Sequence, residues 1–474
     1  MIFVRKLVFG TLASGLLLTG ATACGSDNAG SSEQPLVATR PPASAPPAAL
    51  VDDDAAPLPT STPRPVFAMP QRVLATVEPA DGFELLALEI SPAVGTSFEK
   101  LLSMLPDNRT TRQFTRMDDV VGVIDGLGFD RLSPDATAEE RRQFIEEFAL
   151  SRPSLGLIPR PDWPAGMWDY RNRIDTYPDI GFDMASVGAF ASSSNKSKKI
   201  EGVEPADYNV AIGDYDPSRT AAALAACECE QPRILEHNGT EYYLWGPGDR
   251  TGHVGDRLKR PFYDHIGRGP YLLIRDGEAY HTIDPGVAEE FIGVIQGTAP
   301  SLADNDSYLQ AVRWVAATGL VSFMIIKNQG FKIEDVVRSG DGSLSVVVTD
   351  GKTGEAILQA PPSAIETDIL AEELLLPFEL AVFGFGWDGK RSYTAIAFVH
   401  EDGASAMENR SRLLKRLNSV LTYRSGNDEP ESWARRLDTV EIKVANEILI
   451  LRVYYSNPAH TGSLGASNTL LVHE

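Results

Sequence analysis

The sequence predicts an α+β protein in which antiparallel sheets carry helices on one face. Tight-turn sequences such as Asp276-Gly277 separate runs of alternating apolar residues, a pattern that suits β-hairpins. The order strand–helix–strand–strand occurs at least twice, near 208–283 and near 392–454. Because hairpins outnumber strand–helix–strand alternations, a parallel, doubly wound sheet is not favoured.

The first elements after the N-terminal region are short. Residues 83–90 alternate in a pattern that predicts a largely buried strand. Apolar residues at spacings of three and four predict a helix over 97–105, which Pro106 ends. A short strand over 112–116 is followed by a helix that Asp118-Asp119 caps.

A clearer unit begins at residue 208. Residues 208–212 predict a strand, and an alanine-rich helix follows over 218–227, with Asp216 or Ser218 as its N-cap. Residues 240–245 form the next predicted strand. The segment 271–283 then predicts a strong hairpin around its Asp-Gly turn.

The last unit consists of two hairpins, a helix and a further strand pair. The hairpins are predicted over 344–359 and 378–400. Asp402 caps a helix with a leucine stripe that ends near Leu421. Alternating strands over 440–454 complete the unit.

The N-terminus has the layout of a bacterial export signal. Arg5 and Lys6 precede an apolar segment over 7–18, which is shorter than the roughly 20 residues that a membrane-spanning helix needs. Small residues follow and end at Cys24. Residues 1–25 resemble the signal peptide and lipobox of bacterial lipoproteins, although Ala21 stands where that family usually has leucine. The resemblance implies cleavage after residue 23 and acylation of Cys24; an ordinary cleaved signal peptide is the alternative.

Composition divides the rest of the chain. Residues 24–80 hold the cysteine and a Pro-, Ser- and Ala-rich linker with little apolar surface to bury, which predicts disorder. The remainder is long enough for three α+β modules, predicted at 81–205, 206–330 and 331–474. The body itself resembles no family of known function.

Charge argues against nucleic-acid binding. The chain has 65 acidic and 43 Lys or Arg residues, a formal net charge of −22. Affinity for DNA or RNA depends on cations that displace counterions, so we expect no nucleic-acid partner. After the signal region no apolar run is long enough for a transmembrane helix.

The two remaining cysteines, Cys227 and Cys229, are separated by one residue. In an oxidising compartment this pair predicts a local disulfide, with free thiols as the first alternative. Metal binding is the last alternative, because a closed zinc site needs four ligands and no second nearby His or Cys completes a set. We therefore assign no metal and no cofactor.

Two loop regions carry the remaining candidate residues. His253, Asp256, Asp264 and His265 form the densest polar loop, with side chains suited to acid–base chemistry but in no spacing typical of a known motif. Turn chemistry explains the same residues. The aromatic loop with Trp163, Trp168 and Tyr170 is suited to carbohydrate or peptide binding, or alternatively to packing on the core.

The sequence contains neither a nucleophile elbow nor a phosphate-binding P-loop, so no catalytic residue is assigned. We expect a non-catalytic binding or structural module of the cell envelope, tethered outside the cytoplasm through lipid on Cys24. Its partner is an unknown envelope protein or ligand, and the membrane that holds the lipid is left open. The alternatives are an envelope hydrolase that uses the His253/His265 loop and a transporter-associated solute-binding lipoprotein.

Overall fold

The structure is a computed structural model of the 474-residue chain. It describes residues 82–126, 128–133, 186–194, 206–246, 270–328, 374–419 and 431–457, together with short stretches elsewhere.

Thirteen strands form one sheet, in the order β1-β18-β19-β15-β14-β9-β2-β3-β4-β8-β7-β6-β5. In chain order they are β1 (Glu84–Ala87), β2 (Phe114–Asp119), β3 (Val187–Ser194), β4 (Asp207–Gly213), β5 (Arg233–His237), β6 (Thr240–Leu244), β7 (Tyr271–Arg275), β8 (Glu278–Thr282), β9 (Leu320–Asn328), β14 (Leu380–Trp387), β15 (Ser392–Val399), β18 (Leu437–Ala445) and β19 (Ile448–Tyr455). The remaining described strands form small sheets: β10 (Phe331–Lys332) with β20 (Val472–His473), β11 (Val336–Arg338) with β12 (Leu344–Thr349) and β13 (Ala356–Gln359), and β16 (Leu421–Thr422) with β17 (Glu431–Ser432).

Eight described α-helices accompany the strands: α1 (Ser97–Met104), α2 (Arg109–Gln113), α3 (Val120–Gly126), α4 (Pro217–Ala226), α5 (Pro285–Ile295), α6 (Asp306–Ala316), α7 (Gly403–Ser419) and α8 (Trp433–Arg436). A short 3-10 helix covers Leu302–Asp304. Local chemistry explains several of their starting points. The Asp216 side chain accepts hydrogen bonds from the N–H groups of Ser218 and Arg219, so Asp216 caps α4 as the sequence predicts.

The large sheet is mostly antiparallel. β1 lies parallel to β18, and the other pairings within this sheet are antiparallel. Sheet and helices together confirm the α+β class.

The sheet contains the same five-strand arrangement twice. The order β2-β3-β4-β8-β7 in the first half matches β9-β14-β15-β19-β18 in the second. Each half begins with a helix before its first strand and carries another helix after its third strand: α1 and α4 in one half, α6 and α7 in the other. Because β2 and β9 are antiparallel neighbours, a two-fold axis normal to the sheet describes the arrangement. The repeated strand–helix–strand–strand units predicted near 208–283 and 392–454 are β4-α4-β7-β8 and β15-α7-β18-β19, with β5 and β6 inserted in the first.

Helices pack on both faces of the sheet, which corrects the expectation of helices on one face. One buried cluster joins side chains of α1, α5 and α6 to one set of alternating strand residues, among them Ile450. A second cluster joins α7 and α8 to the intervening residues, among them Leu449 and Leu451. Successive residues of a strand point to opposite faces, so these two clusters lie on opposite sides.

Strands from all three predicted body modules belong to this one sheet. Residues 84–119, 207–282 and 380–455 each contribute strands to it. The boundaries expected at 205 and 330 therefore fall inside a shared sheet. The physical reason is long-range strand pairing: β2 with β9 joins the first two modules, and β9 with β14 joins the second to the third.

Candidate functional site

Most of the residues singled out from the sequence lie outside the described residues. These are Cys24, Trp163, Trp168, Tyr170, His253, Asp256, Asp264 and His265. The structure therefore does not bring the polar loop or the aromatic loop into a described site. Their assignment stays a prediction.

Cys227 and Cys229 are described, and a disulfide joins them, with their Cα atoms 5.2 Å apart. Cys227 is the C-cap of α4, and its N–H donates to the carbonyls of Ala223 and Leu224. The Gln231 side-chain amide donates to the carbonyls of Leu224, at 2.9 Å, and Cys227, at 3.3 Å. The bridge and this amide together fix the end of α4 directly before β5.

β5 and β6 form a hairpin at one end of the large sheet. Asn238 and Gly239 connect the two strands with φ values of 49° and 77°. Positive φ at both central residues is typical of a type I′ turn, which Asn-Gly favours. The flanking pair His237 and Thr240 is then a hydrogen-bonded pair.

Alternation of the ladder determines which backbone groups of β5 face outward. Starting from His237, every second residue of β5 bonds to β6, so the N–H and C=O of Ile234 and Glu236 point away from it. The opposite side of the hairpin agrees with this register. The Trp245 N–H donates to the Pro270 carbonyl, at 3.3 Å, on the side of β7. Among the described strands, β6 is the only neighbour of β5. Within the described residues, the outward groups of Ile234 and Glu236 therefore lie along a sheet edge that no other strand pairs with.

One face of this hairpin packs against α5. Leu235 and Tyr242 are directly opposed and pack against a small buried cluster that contains Ala288 of α5. The Gln296 side chain, at the end of α5, donates to the Asn238 carbonyl at 2.9 Å and to the Thr240 hydroxyl at 3.1 Å. These contacts hold the hairpin to the body.

The other face presents an apolar side chain beside two carboxylates. Ile234 is 63% exposed. Glu236 and Glu241 are directly opposed across β5 and β6, and both are exposed. Like charges in this position destabilise a sheet. Within the described part of the chain, no cation forms a salt bridge with either carboxylate. We call Ile234, Glu236 and Glu241, with the free edge of β5, the β5 edge surface.

Buried charged groups elsewhere hold the fold together. The Glu441 carboxylate pairs with the Arg452 guanidinium on neighbouring strands, and the two residues are 3% and 9% exposed. Arg452 also donates to the Thr318 carbonyl at the end of α6 and lies 5.7 Å from the centre of the Tyr393 ring. These contacts tie α6 to the second half of the sheet.

A second charged cluster connects α1 to the first half. Glu278 of β8 pairs with Lys100 of α1 and with Arg275 of β7, and it accepts a hydrogen bond from the Tyr280 hydroxyl at 2.7 Å. Burial pushes the pKa of Glu278 upward, but Lys100 and the Tyr280 hydroxyl outweigh it, so the pKa is lowered. The carboxylate is thus kept charged as a structural partner.

His400 follows β15 and joins three segments. Its Nδ1 lies 3.1 Å from the Glu447 carbonyl, and its Nε2 lies 2.8 Å from Nδ2 of Asn409 in α7. Asn409 also bonds to the backbone N–H and C=O of Leu376. The amide nitrogen of Asn409 is a donor, so Nε2 accepts and Nδ1 carries the proton. Burial lowers the pKa of His400, consistent with a neutral ring.

The described residues lack two further features. No three His, Cys, Asp or Glu side chains there converge in a way that would hold a metal ion. None of the described helices combines the length and the apolar character needed to cross a bilayer.

The sequence interpretation missed β5 although a signal for it was present. It predicted a strand at 240–245 but no partner before it. Asn238-Gly239 is a strong two-residue hairpin sequence, and β5 precedes it immediately. Only Ile234 and Leu235 are apolar in β5, so periodicity alone gives a weak strand signal.

Comparison with known proteins does not identify a family for this chain. No family model and no curated protein matches the chain. Among solved structures, crystal form III of a protein named TP0453 matches at a TM-score of 0.30 and 8% identity, covering 75% of this chain and 94% of that one. Crystal form I of TP0453 matches at a TM-score of 0.28 and 8% identity, covering 78% and 97%. Similarity at this level supports no inference about fold or function.

Proposed function

We propose that the protein is an extracytoplasmic lipoprotein, held at a membrane by lipid on Cys24, whose body is a non-catalytic module that binds an envelope partner. The observation that carries this proposal is the N-terminal pattern. Cations at Arg5 and Lys6, a short apolar segment and a small-residue run that ends at Cys24 resemble a lipoprotein signal. Two acyl chains on one sulfur bind a membrane stably, whereas a single chain binds marginally.

The segment after Cys24 supports the same proposal. Residues 25–79 are rich in Pro, Ser and Ala, and as a flexible coil they would span roughly 40 Å. Such a tether separates the body from the bilayer. Asp52, Asp53 and Asp54 lie within it and would be repelled by anionic headgroups.

The fold of the body supports a partner-binding role better than it supports the solute-binding or hydrolase alternative. A solute-binding lipoprotein of two lobes has two parallel α/β halves, whereas both halves here belong to one largely antiparallel sheet. The hydrolase alternative depends on His253 and His265, which lie outside the described residues. In contrast, the β5 edge surface consists of described residues at the β5 end of the sheet, and its side chains are exposed.

Replacing the acylated cysteine tests the tether. We expect wild-type protein to sediment with membranes, and its N-terminal peptide, starting at residue 24, to carry the mass of a diacylglycerol. The Cys24→Ser variant should remain in the soluble extracytoplasmic fraction. The Cys227→Ser/Cys229→Ser double variant is the matched control, because it removes two thiols and keeps Cys24. Unmodified Cys24 in wild-type protein, or unchanged sedimentation of Cys24→Ser, would contradict the proposal.

A further inference from the structure

We propose that the β5 edge surface binds an extended segment of a partner protein as an additional strand, and that this segment carries a basic residue two positions before an apolar one. The inference deepens the proposed function, on which it rests, by naming the chemistry of the partner. In strand addition, backbone hydrogen bonds supply affinity and alternate side chains supply specificity.

The backbone of β5 offers hydrogen-bonding groups that β6 does not use. Ile234 and Glu236 each present an N–H and a C=O at the free edge. These four groups are available to bond an added strand. Pro232 stands at the next outward position and has no N–H, so it limits the site to the segment after it. An added strand therefore pairs with Ile234 and Glu236.

The side chains of the β5 edge surface favour a particular pair of residues in the added strand. Ile234 and Glu236 are two residues apart and share the face that α5 leaves open, and Glu241 is directly opposite Glu236. A Lys or Arg of the added strand opposite Glu236 pairs directly with that carboxylate, and its charge also offsets the repulsion from Glu241, which lies one strand farther away on β6. A residue opposite Ile234 covers an exposed isoleucine. For an antiparallel addition, the basic residue comes first and the apolar residue follows two positions later.

The charge of this region favours a basic partner over a second copy of the chain. Glu228, Glu230, Glu236, Glu241 and Glu289 lie on or beside the hairpin, against Arg233 as the permanent cation of β5. Two copies paired antiparallel about a two-fold axis through Leu235 would place Glu236 opposite Ile234 of the other copy. This pairing brings no cation to the opposed carboxylates, and the net charge of −22 adds repulsion.

A defined peptide tests the proposal on the full-length protein. The probe is a fluorescein-labelled Thr-Thr-Lys-Thr-Val-Thr-Thr peptide, and the control peptide has Glu in place of Lys. Fluorescence anisotropy should show saturable binding of the first peptide and weaker binding of the second. Binding should weaken as salt is raised, because the charges are exposed.

Two kinds of variant identify the site. Ile234→Pro removes one outward N–H but no bond between β5 and β6, and we expect the affinity to fall by about tenfold. Ile234→Thr is its matched control, since it keeps the N–H. Glu236→Gln and Glu241→Gln should each weaken the Lys peptide about two- to fivefold and leave the Glu peptide no weaker. Circular dichroism and thermal unfolding identify any variant that has lost its fold, and Glu241→Gln tests the site without touching β5.

Three outcomes would overturn the inference. Absence of binding by the Lys peptide would mean that the charged edge only guards the sheet against aggregation. Equal binding to wild type and Ile234→Pro would place the peptide elsewhere. A dimer in sedimentation velocity that Ile234→Pro dissociates would make a second copy the occupant. None of these results bears on the acylation of Cys24, so failure here is distinguishable from failure of the tether.

Discussion

At one end of the large sheet, β1 lies parallel to β18, and Leu85 and Leu86 are 6% and 5% exposed. At the other end, β5 lies antiparallel to β6, and Ile234 is 63% exposed. Both ends extend halves that share the same strand order. The repeated topology therefore explains the centre of the sheet, whereas the strands added outside it make one end covered and the other open.

The difference indicates where stability and recognition reside. At the β1 end, the Glu441–Arg452 pair lies on the neighbouring strands, and its residues are nearly removed from solvent. At the β5 end, Glu236 and Glu241 face water. Buried apolar and charged groups respond strongly to substitution, and exposed ones respond weakly.

The largest expected effect is at the buried ion pair. Glu441→Leu leaves Arg452 buried without its carboxylate, and we expect the free energy of unfolding to fall by about 3–5 kcal/mol. The exposed counterpart, Glu236→Leu, should change it by about 0.5 kcal/mol or less. Urea unfolding measures both. Similar values at the two ends would remove the distinction between them, and the Glu441→Leu/Arg452→Met double variant should recover part of the loss.

The next largest effect on the free energy of unfolding is expected for the apolar residues of the two edge strands, β1 and β5. Leu85→Ala should lower the free energy of unfolding by about 2–4 kcal/mol, because it opens a cavity in a packed cluster. Ile234→Ala, at the open end, should cost about 0.5 kcal/mol or less. A loss at Ile234 as large as that at Leu85 would show that β5 is covered in solution.

The disulfide before β5 should contribute less. Its cysteines are two residues apart, so the bridge closes a very short loop and removes little entropy from the unfolded chain. Replacing both cysteines with serine should cost roughly 1.5 kcal/mol on the chain-entropy account. Thermal unfolding of the oxidised wild type, the reduced wild type and the double variant measures this. A loss of the kind expected for Leu85→Ala would mean that the bridge holds the hairpin in place.

A pH-dependent effect is expected at His400, in the covered half. Its folded pKa lies below the ordinary value of 6.5, which we take for the unfolded chain. Between those two pH values the unfolded chain binds more protons than the folded protein does. The contribution of His400 to stability is therefore complete above pH 6.5 and is lost as the pH falls toward the folded pKa. Urea unfolding at pH 7.5 and pH 5.5 should show a smaller decrease for His400→Gln than for wild type. Equal decreases would contradict the assignment of a neutral, buried ring.

Local chemistry predicted many elements but not their arrangement. The hairpin of β7 and β8 and the Asp216 cap of α4 follow from two or three adjacent residues each. The pairing of β2 with β9 joins segments that no local pattern connects, so the single sheet was not foreseen. The signal for helices on both faces was in the sequence, because Leu380 to Phe385 is apolar at every position except Gly384.

The candidate site was less predictable than the fold. Its two carboxylates are ordinary exposed residues in the sequence, and only the register of β5 and β6 brings Glu236 opposite Glu241. That register depends on the Asn238-Gly239 turn, which was available from the sequence. The absence of another described strand beyond β5 depends on the complete strand order of the sheet.

Amide hydrogen exchange compares the two ends of the sheet most directly. Leu88, just after β1, donates its N–H to the Ile442 carbonyl at 3.0 Å and is 3% exposed. We predict slow exchange for this amide and for the inward-bonded Leu235, and rapid exchange for Ile234 and Glu236. Slow exchange at Ile234 and Glu236 in the isolated protein would contradict the open edge, because it would show that another part of the chain or a second copy already pairs with β5.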